Sequence, residues 1–159
     1  MIKIGVGYDI HRLRKGRKLY LGGAEIPHPA GLIGHSDGDC LVHALIDALL
    51  GALGEGDIGQ LFPDTDVSFR GVRSTALLER VMGKLKKERM EIVNVDAVVV
   101  AEKPRLAPHV ERMKEILSPI LGVSRDAIGI KAKTNERIGI IGRNQAMACW
   151  AVALLKRKR

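Results

Sequence analysis

Residues 1–11 read MIKIGVGYDIH, and this stretch gives the first clear structural signal of the chain. Apolar side chains alternate along its first half, which predicts a β-strand. Side chains two residues apart in a strand point to the same face, so Asp9 and His11 are expected to project together. Tyr8 and Ile10 then point to the opposite face. A carboxylate beside an imidazole can hold a metal ion, and we predict a metal site here.

A helix is predicted over residues 37–53, which read DGDCLVHALIDALLGAL. Ser36 or Asp37 is expected to cap its first turn through a side-chain oxygen. The helix also has a broad apolar face that is expected to pack on the core, formed by Leu41, Val42, Leu45, Leu49 and Leu53.

His43 lies within this helix and is the predicted third ligand, which would leave a tetrahedral metal one open position for substrate. Asp39 and Asp47 lie four residues before and after it, within side-chain reach on a helix. A metal-bound histidine usually donates its other ring N–H to such a group, so either aspartate is a candidate partner. The alternative is a hydrogen-bonded core histidine among solvated aspartates. The Asp9 and His11 pair upstream favours the metal site.

The length of the chain is that of one domain, residues 1–159, large enough to bury its own core. No apolar run approaches the roughly 20 residues that span a membrane, and the N-terminus lacks the apolar core of a signal peptide. Cys40 and Cys149 give no disulfide framework, which favours a cytoplasmic location. Cys40 lies three residues before His43 and forms a possible CxxH metal pair, but we favour core packing for it.

The formal net charge of +8 raises the possibility of nucleic-acid binding. Basic residues cluster at 84–89 and in the tail at 156–159, and such runs are most often solvated surfaces. Aromatic residues make up only 3% of the chain and do not interleave with basic ones for stacking on bases. We therefore expect neither a nucleic acid nor a membrane as partner.

Strand and helix patterns alternate along the remaining chain, which predicts an α/β fold. The elements expected from periodicity and turn residues are a hairpin of strands at 18–21 and 24–26, a loop at 28–35, a loop at 54–70, a helix at 71–89, a strand at 95–101, a helix at 108–121 and a strand at 128–132. A loop as long as 54–70 is usually functional. Residues 147–155 form an apolar run that periodicity alone cannot assign.

Four motifs in register make a specific resemblance. They are GYDIHRL at 7–13, GHSDGDCLVHALIDALLGA at 34–52, GDIGQLFPDTD at 56–66 and KTNERIGIIGR at 133–143. Together they resemble the 2-C-methyl-D-erythritol 2,4-cyclodiphosphate synthase family, the zinc-dependent cyclases of the non-mevalonate isoprenoid pathway. The resemblance extends over nearly the whole chain.

The resemblance implies a small mixed β-sheet with helices on one face, and it makes residues 147–155 the last strand. It also implies a homotrimer whose sheets pack around a central axis, with active sites between subunits. The implied substrate is a cytidine diphosphate, 4-diphosphocytidyl-2-C-methyl-D-erythritol 2-phosphate. Its own 2-phosphate attacks the β-phosphate, CMP leaves, and the cyclic diphosphate forms.

The same resemblance implies roles for single residues. Asp9, His11 and His43 would bind Zn²⁺ or another divalent transition metal, and Glu136 a second cation, Mg²⁺ or Mn²⁺. His35 and Thr134 would stabilise the transition state. The implied substrate contacts, which include these residues, are Asp9, Ile10, His11, His35 and Ser36, the loop residues Asp57, Ile58, Gly59, Phe62, Pro63, Asp64, Thr65 and Asp66, the cytosine pocket Ala101, Glu102, Lys103, Pro104, Arg105, Leu106 and Ala107, and Lys133, Thr134, Asn135, Glu136, Ile140 and Arg143.

Two departures from the family pattern stand out. Lys133 occupies a run that is often threonine-rich, while Thr134 and Glu136 are kept. Ile140 replaces a usual aromatic residue and the usual acidic residue beside Arg143 is missing, because that segment continues with Asn144 and Gln145. The second departure concerns the trimer axis rather than the active site.

Two other classes of protein fit parts of the pattern. A metal-dependent phosphohydrolase can also use an Asp-x-His pair with a further histidine. A non-catalytic, zinc-stabilised nucleic-acid-binding protein would use the metal only for folding. Formation of a cyclic product distinguishes the cyclase from both.

Overall fold

The computed structural model describes residues 1–158, so that Arg159 of the basic tail lies outside the described residues. Its seven strands are β1 (Ile2–Lys15), β2 (Leu19–Leu21), β3 (Ala24–Ile26), β4 (Ala30–Leu32), β5 (Met90–Val100), β6 (Ile128–Lys133) and β7 (Ala146–Arg157). Its α-helices are α1 (Cys40–Leu53), α2 (Ile58–Leu61), α3 (Ser74–Lys87), α4 (Val110–Leu121) and α5 (Gly139–Gly142), with 3₁₀ turns at Val67–Phe69, Ala107–His109 and Arg125–Ala127.

Five strands form one mixed sheet in the order β4-β1-β7-β5-β6, and β2 and β3 form a separate hairpin. β7 pairs antiparallel with both β1 and β5, whereas β6 runs parallel to β5. One row across the sheet places Asp9 opposite Cys149, Cys149 opposite Val99, and Val99 opposite Ala132. The mixed sheet, the hairpin and the assignment of residues 147–155 as the last strand are therefore confirmed.

The helices cover one face of the sheet. α1 packs on β1 and β7, α3 packs on α1, and α4 packs on α3 and β6. The opposite face is apolar and uncovered in the single chain, with exposed side chains at Ile2, Ile4, Val6, Tyr8 and Ile10 of β1 and at Trp150 and Val152 of β7. The rings of Tyr8 and Trp150 lie side by side there, 4.8 Å between centroids.

Helix α1 approaches β1 unusually closely, at two glycines. A Cβ atom on Gly5 would lie 2.0 Å from the carbonyl oxygen of Ala48, and one on Gly7 would lie 1.9 Å from that of Ala44. Neither distance is possible for a real side chain, so the two backbones touch only because these positions lack one. This contact brings the helix that carries His43 directly over the strand that carries Asp9.

The predicted helix cap was wrong. α1 begins at Cys40, and Asp39 is its N-cap, accepting a hydrogen bond from the backbone N–H of Val42 at 3.0 Å. Ser36 and Asp37 were the expected caps, but the loop continues for three further residues and leaves them away from the first-turn donors.

Several boundaries also differ from the prediction. The loop expected at 28–35 contains β4, which is formed by pairing with β1 rather than by a strong local pattern. The loop expected at 54–70 contains α2 and a 3₁₀ turn. β1 and β5 are longer than predicted because both pair with β7 along most of its length. The hairpin, α3, α4 and β6 lie where they were predicted.

Replacing Gly7 with alanine is expected to destabilise the protein severely. The new methyl group would overlap the Ala44 carbonyl, and overpacking of this kind costs about 1–3 kcal/mol or more. Thermal unfolding followed by circular dichroism measures the effect. Gly83→Ala is the matched control, since a Cβ on this exposed helical glycine meets no atom within 4 Å and should raise stability slightly. Equal melting temperatures for Gly7→Ala and wild type would disprove the close contact.

Candidate metal centre and substrate cavity

Asp9, His11 and His43 converge on one point, as predicted. Asp9 and His11 project from the same face of β1, and His43 reaches them from α1. Asp9 Oδ2 lies 2.8 Å from His11 Nε2 and 2.9 Å from His43 Nδ1, and the two ring nitrogens are 3.1 Å apart. The three groups thus offer one oxygen and two nitrogen ligand atoms to a common centre.

This donor set fits a divalent transition metal. Metal–ligand distances of about 2.0–2.1 Å with tetrahedral angles place ligand atoms about 3.3 Å apart. The three separations here are shorter by only a few tenths of an ångström, so small side-chain movements would accommodate an ion. One carboxylate and two imidazoles also match the ligand types that such metals prefer.

The electrostatics of the cluster favour positive charge. Burial alone would raise the pKa of Asp9, but its hydrogen bonds to His11 and His43, and their charges, outweigh burial and lower it. Burial alone would lower the pKa of His43, whereas the hydrogen bond to Asp9 and the charge of Asp9 raise it. The Asp9 carboxylate therefore stays ionised and attracts positive charge. A metal ion can supply that charge in place of a proton on a neighbouring histidine.

The second ring nitrogen of His43 does not face either predicted aspartate. His43 Nε2 lies 2.8 Å from Ser74 Oγ and 3.0 Å from Ser36 Oγ. The prediction that Asp39 or Asp47 contacts this nitrogen was wrong, because both carboxylates accept hydrogen bonds from backbone N–H groups instead. Asp39 caps α1, and Asp47 accepts from the backbone N–H of Ile58 at 2.7 Å.

Cys40 packs in the core, as favoured from the sequence. It is fully buried, and its Sγ lies 3.0 Å from Sγ of the equally buried Cys149. Burial raises the pKa of the Cys40 thiol, which keeps it protonated and a poor metal ligand. The CxxH alternative is therefore not supported.

A cavity of about 270 Å³ opens beside the cluster. Phe69 and Leu77, which were not predicted as site residues, line it together with nine that were. The nine are Asp9, His11, His35, Ser36, His43, Ile58, Gly59, Phe62 and Asp64. His35 is exposed at its rim, with Nε2 3.4 Å from the carbonyl oxygen of Asp66. Asp57 caps α2 through the backbone N–H of Gln60.

A second cavity, of about 470 Å³, is lined by eight further predicted residues together with Ala132. Its lining is Ala101, Glu102, Pro104, Arg105, Leu106, Ala107, Ala132, Lys133 and Thr134. Glu102 accepts hydrogen bonds from the backbone N–H groups of Asn135 (2.9 Å) and Arg137 (3.1 Å). This contact helps to hold Glu136 and Arg137 in left-handed backbone conformations, with φ of 49° and 62°.

Thr134 and Glu136 are neighbours at this second cavity. The hydroxyl of Thr134 donates to Glu136 Oε1 at 2.5 Å, and both side chains are exposed. Asp9 and Ala132 share a row of the sheet but are separated by three strand spacings, about 14 Å. One chain therefore presents the predicted residues as two separate groups.

Sequence reasoning missed Asp37 and Ser74 as parts of the metal centre. Asp37 was considered only as a helix cap, and Ser74 belonged to no motif recognised in the sequence. Only the packing of α3 against α1 brings Ser74 to His43.

The family of the chain follows from comparison with known proteins. The model of the YgbB family matches residues 2–156, and the chain belongs to this family. Among described helices, none is long and apolar enough to cross a membrane.

The names of similar proteins specify an activity within this family. A 2-C-methyl-D-erythritol 2,4-cyclodiphosphate synthase from Dechloromonas aromatica is 52% identical over 98% of this chain and 97% of its own length. A bifunctional enzyme IspD/IspF from Desulforudis audaxviator is 53% identical over 98% of this chain, which spans only 40% of that protein. A solved 2C-methyl-D-erythritol-2,4-cyclodiphosphate synthase in a CDP-bound form superposes with a TM-score of 0.90 at 42% identity, over 97% of this chain and all of that one. These similarities confirm the predicted resemblance, and they support cyclodiphosphate synthesis in isoprenoid biosynthesis.

Replacing His43 with alanine is expected to abolish both metal binding and turnover. The mutation removes one of three ligands contributed by two separate elements, so an ion would keep only the Asp9 and His11 pair. Metal content after dialysis, measured by atomic emission, should fall from about one ion per chain to near zero. His28→Ala, which removes a histidine from a distant loop, is the control. Full metal content in His43→Ala would exclude His43 as a ligand.

Proposed function

We propose that this chain converts 4-diphosphocytidyl-2-C-methyl-D-erythritol 2-phosphate into 2-C-methyl-D-erythritol 2,4-cyclodiphosphate and CMP, as one domain acting in the cytoplasm. The observation that carries the proposal is the Asp9–His11–His43 cluster at the edge of a cavity in a chain of this family. A 2-phosphate oxygen forms a bond to the β-phosphorus. The bond from that phosphorus to the oxygen bridging the α- and β-phosphates breaks, and its electron pair leaves with CMP.

Asp9, His11 and His43 would hold the metal, for which we propose Zn²⁺. A bound divalent ion supplies Lewis-acid polarisation of a phosphate oxygen and charge neutralisation between anionic reactants. Ile58, Phe62 and Leu77 contribute apolar side chains to the cavity, and once substrate fills it they would limit the access of water, which would otherwise hydrolyse the diphosphate.

The protein's own contribution is positioning and hydrogen bonding. We assign His35, exposed at the rim of the first cavity, and Thr134, at the second, to donate hydrogen bonds to phosphate oxygens as charge shifts in the transition state. Thr134 donates to Glu136 in the free chain, so its hydroxyl must turn from Glu136 to the substrate. Glu136 is then free to help bind a second cation, Mg²⁺ or Mn²⁺.

We assign the substrate contacts to the two cavities. The first, with Ser36, the 57–59 turn and residues 62–66, would hold the methylerythritol and ribose. The second, at residues 101–107, would hold the cytosine, and the phosphates would lie between Lys133 and Asn135 on this side and the metal on the other. A bound CDP in a similar solved synthase supports a cytidine nucleotide as ligand.

A homotrimer with shared active sites follows as part of the proposal. In one chain Asp9 and Ala132 lie about 14 Å apart across the sheet, and the two cavities share no lining residue, so we expect no single chain to bring His35 and Thr134 to one reacting phosphate. A second copy can bring its second cavity to the first cavity of its neighbour. The uncovered apolar sheet face gives such copies a surface to bury, and Ile140 and Arg143 would then lie near the axis.

Phosphorus NMR of the reaction products tests the proposed reaction. Incubation with the predicted substrate and Zn²⁺ plus Mg²⁺ should yield the two diphosphate resonances of the cyclic product and the resonance of CMP. Release of inorganic phosphate from this and from generic phosphate esters, without cyclic product, would favour the phosphohydrolase instead.

Complementation tests the shared site. His43→Ala chains and Thr134→Ala chains should each have very low activity, because every site lacks one essential group. After subunit exchange, mixed trimers contain some sites with both groups intact and should regain measurable activity. Exchange is verified with differently tagged chains, and mixing each variant with itself is the control. Absence of recovery in verified mixed assemblies would place the whole site within one chain.

A further inference from the structure

We propose that Asp37 and Ser74 are positioning residues that fix the tautomer of His43, so that its Nδ1 lone pair faces the metal. The inference deepens the proposed function and rests on it, because it concerns how the metal ligand is prepared.

The two ring nitrogens of His43 have different surroundings. Nδ1 faces the ligand atoms of Asp9 and His11, at 2.9 and 3.1 Å. Nε2 faces the hydroxyl of Ser74 at 2.8 Å. In a neutral imidazole only one nitrogen carries a proton, and only the other can bind a metal. The partner of Nε2 therefore decides whether Nδ1 is available.

Asp37 decides which way the Ser74 hydroxyl points. Ser74 is fully buried, and its hydroxyl contacts Asp37 Oδ1 closely. That oxygen also accepts from the backbone N–H of Asp39 (3.1 Å), while Oδ2 accepts from Arg73 Nε and from the backbone N–H of Ser74, both at 3.0 Å. Every contact of this carboxylate is a donor, and an ionised carboxylate can only accept.

The direction of the remaining hydrogen bonds follows. Because Ser74 donates its single proton to Asp37, its oxygen must accept from His43. The proton of His43 then sits on Nε2, and Nδ1 presents its lone pair to the metal. Ser36 Oγ also lies near His43 Nε2 (3.0 Å) and Ser74 Oγ (3.2 Å), but it has no carboxylate partner that would fix its own proton. Asp37 and Ser74 thus replace the carboxylate that histidine ligands often contact directly.

The test is zinc affinity, measured by competition with a chromophoric chelator. Ser74→Ala removes the fixed acceptor, so we expect zinc to bind about tenfold more weakly, or worse, as is typical when a partner of a ligand histidine is lost. Thr75→Ala, at the neighbouring residue of α3, is the control and should bind like wild type. Wild-type affinity in a folded Ser74→Ala protein would overturn the proposal.

Asp37→Asn provides a second variant with a different prediction. At the Oδ2 position the amide nitrogen would meet two N–H groups, those of Arg73 and of the Ser74 backbone, whereas at the Oδ1 position it would meet one, that of the Asp39 backbone. We therefore expect the nitrogen at the Oδ1 position, where it would donate to Ser74 and reverse that hydroxyl. Ser74 would then donate to His43 Nε2 and drive the proton onto Nδ1, which weakens zinc binding. In the Ser74→Ala background the same change should have little further effect, because the link between the two residues is already cut.

The double variant separates this proposal from simple loss of stability. If the loss of zinc affinity in the double variant equalled the product of the losses in Asp37→Asn and Ser74→Ala, the two residues would act independently. That result would overturn the proposal that Asp37 acts through Ser74. Melting temperatures of the metal-free proteins control for unfolding. Failure of the wild type itself to bind zinc would instead contradict the proposed function, so the two failures are distinguishable.

Discussion

The close contact between α1 and β1 is the constraint on which the site depends. Gly5 and Gly7 allow the helix backbone to rest on the strand with no side chain between them. At ordinary helix–sheet separation, His43 would be held farther from Asp9 and His11, and three ligand atoms within 3.1 Å of one another would be hard to achieve. The candidate metal centre thus depends on backbone packing as well as on the chemistry of its side chains.

Much of the polar framework around this contact serves to fix loops rather than to touch substrate. Asp39, fully buried, caps α1 and also accepts from the backbone N–H groups of Gly22 and Gly23 in the β2–β3 turn. Burial and the charge of Asp37 raise the pKa of Asp39, while the backbone N–H donors of Gly23 and Val42 oppose the shift. Asp37 ties the start of α3 to the same loop. Two aspartates two residues apart therefore orient three elements around His43.

The convergence of Asp9, His11 and His43 could be predicted from the sequence because its signals are local. Alternation in β1 placed Asp9 and His11 on one face, and helical spacing placed His43 on α1. The partners of His43 Nε2 could not be predicted in this way, since Ser74 reaches it from an element 31 residues away. Spacing on the helix suggested Asp39 and Asp47 instead, but nearby backbone donors compete for these carboxylates. The short strand β4 was missed for a similar reason, because pairing with β1 rather than local propensity forms it.

A lone chain leaves Ile2, Ile4 and Val6 largely in water, with exposed fractions of 73%, 69% and 67%. An assembly that covers these side chains forms only from folded chains. Association therefore stabilises the folded state by mass action. The folded fraction then depends on how much of the protein is present. At a low concentration of the chain the free energy of unfolding would be smaller than at a high concentration, even with an identical sequence and temperature. Abundance, and not only amino-acid sequence, would set how many substitutions the chain tolerates.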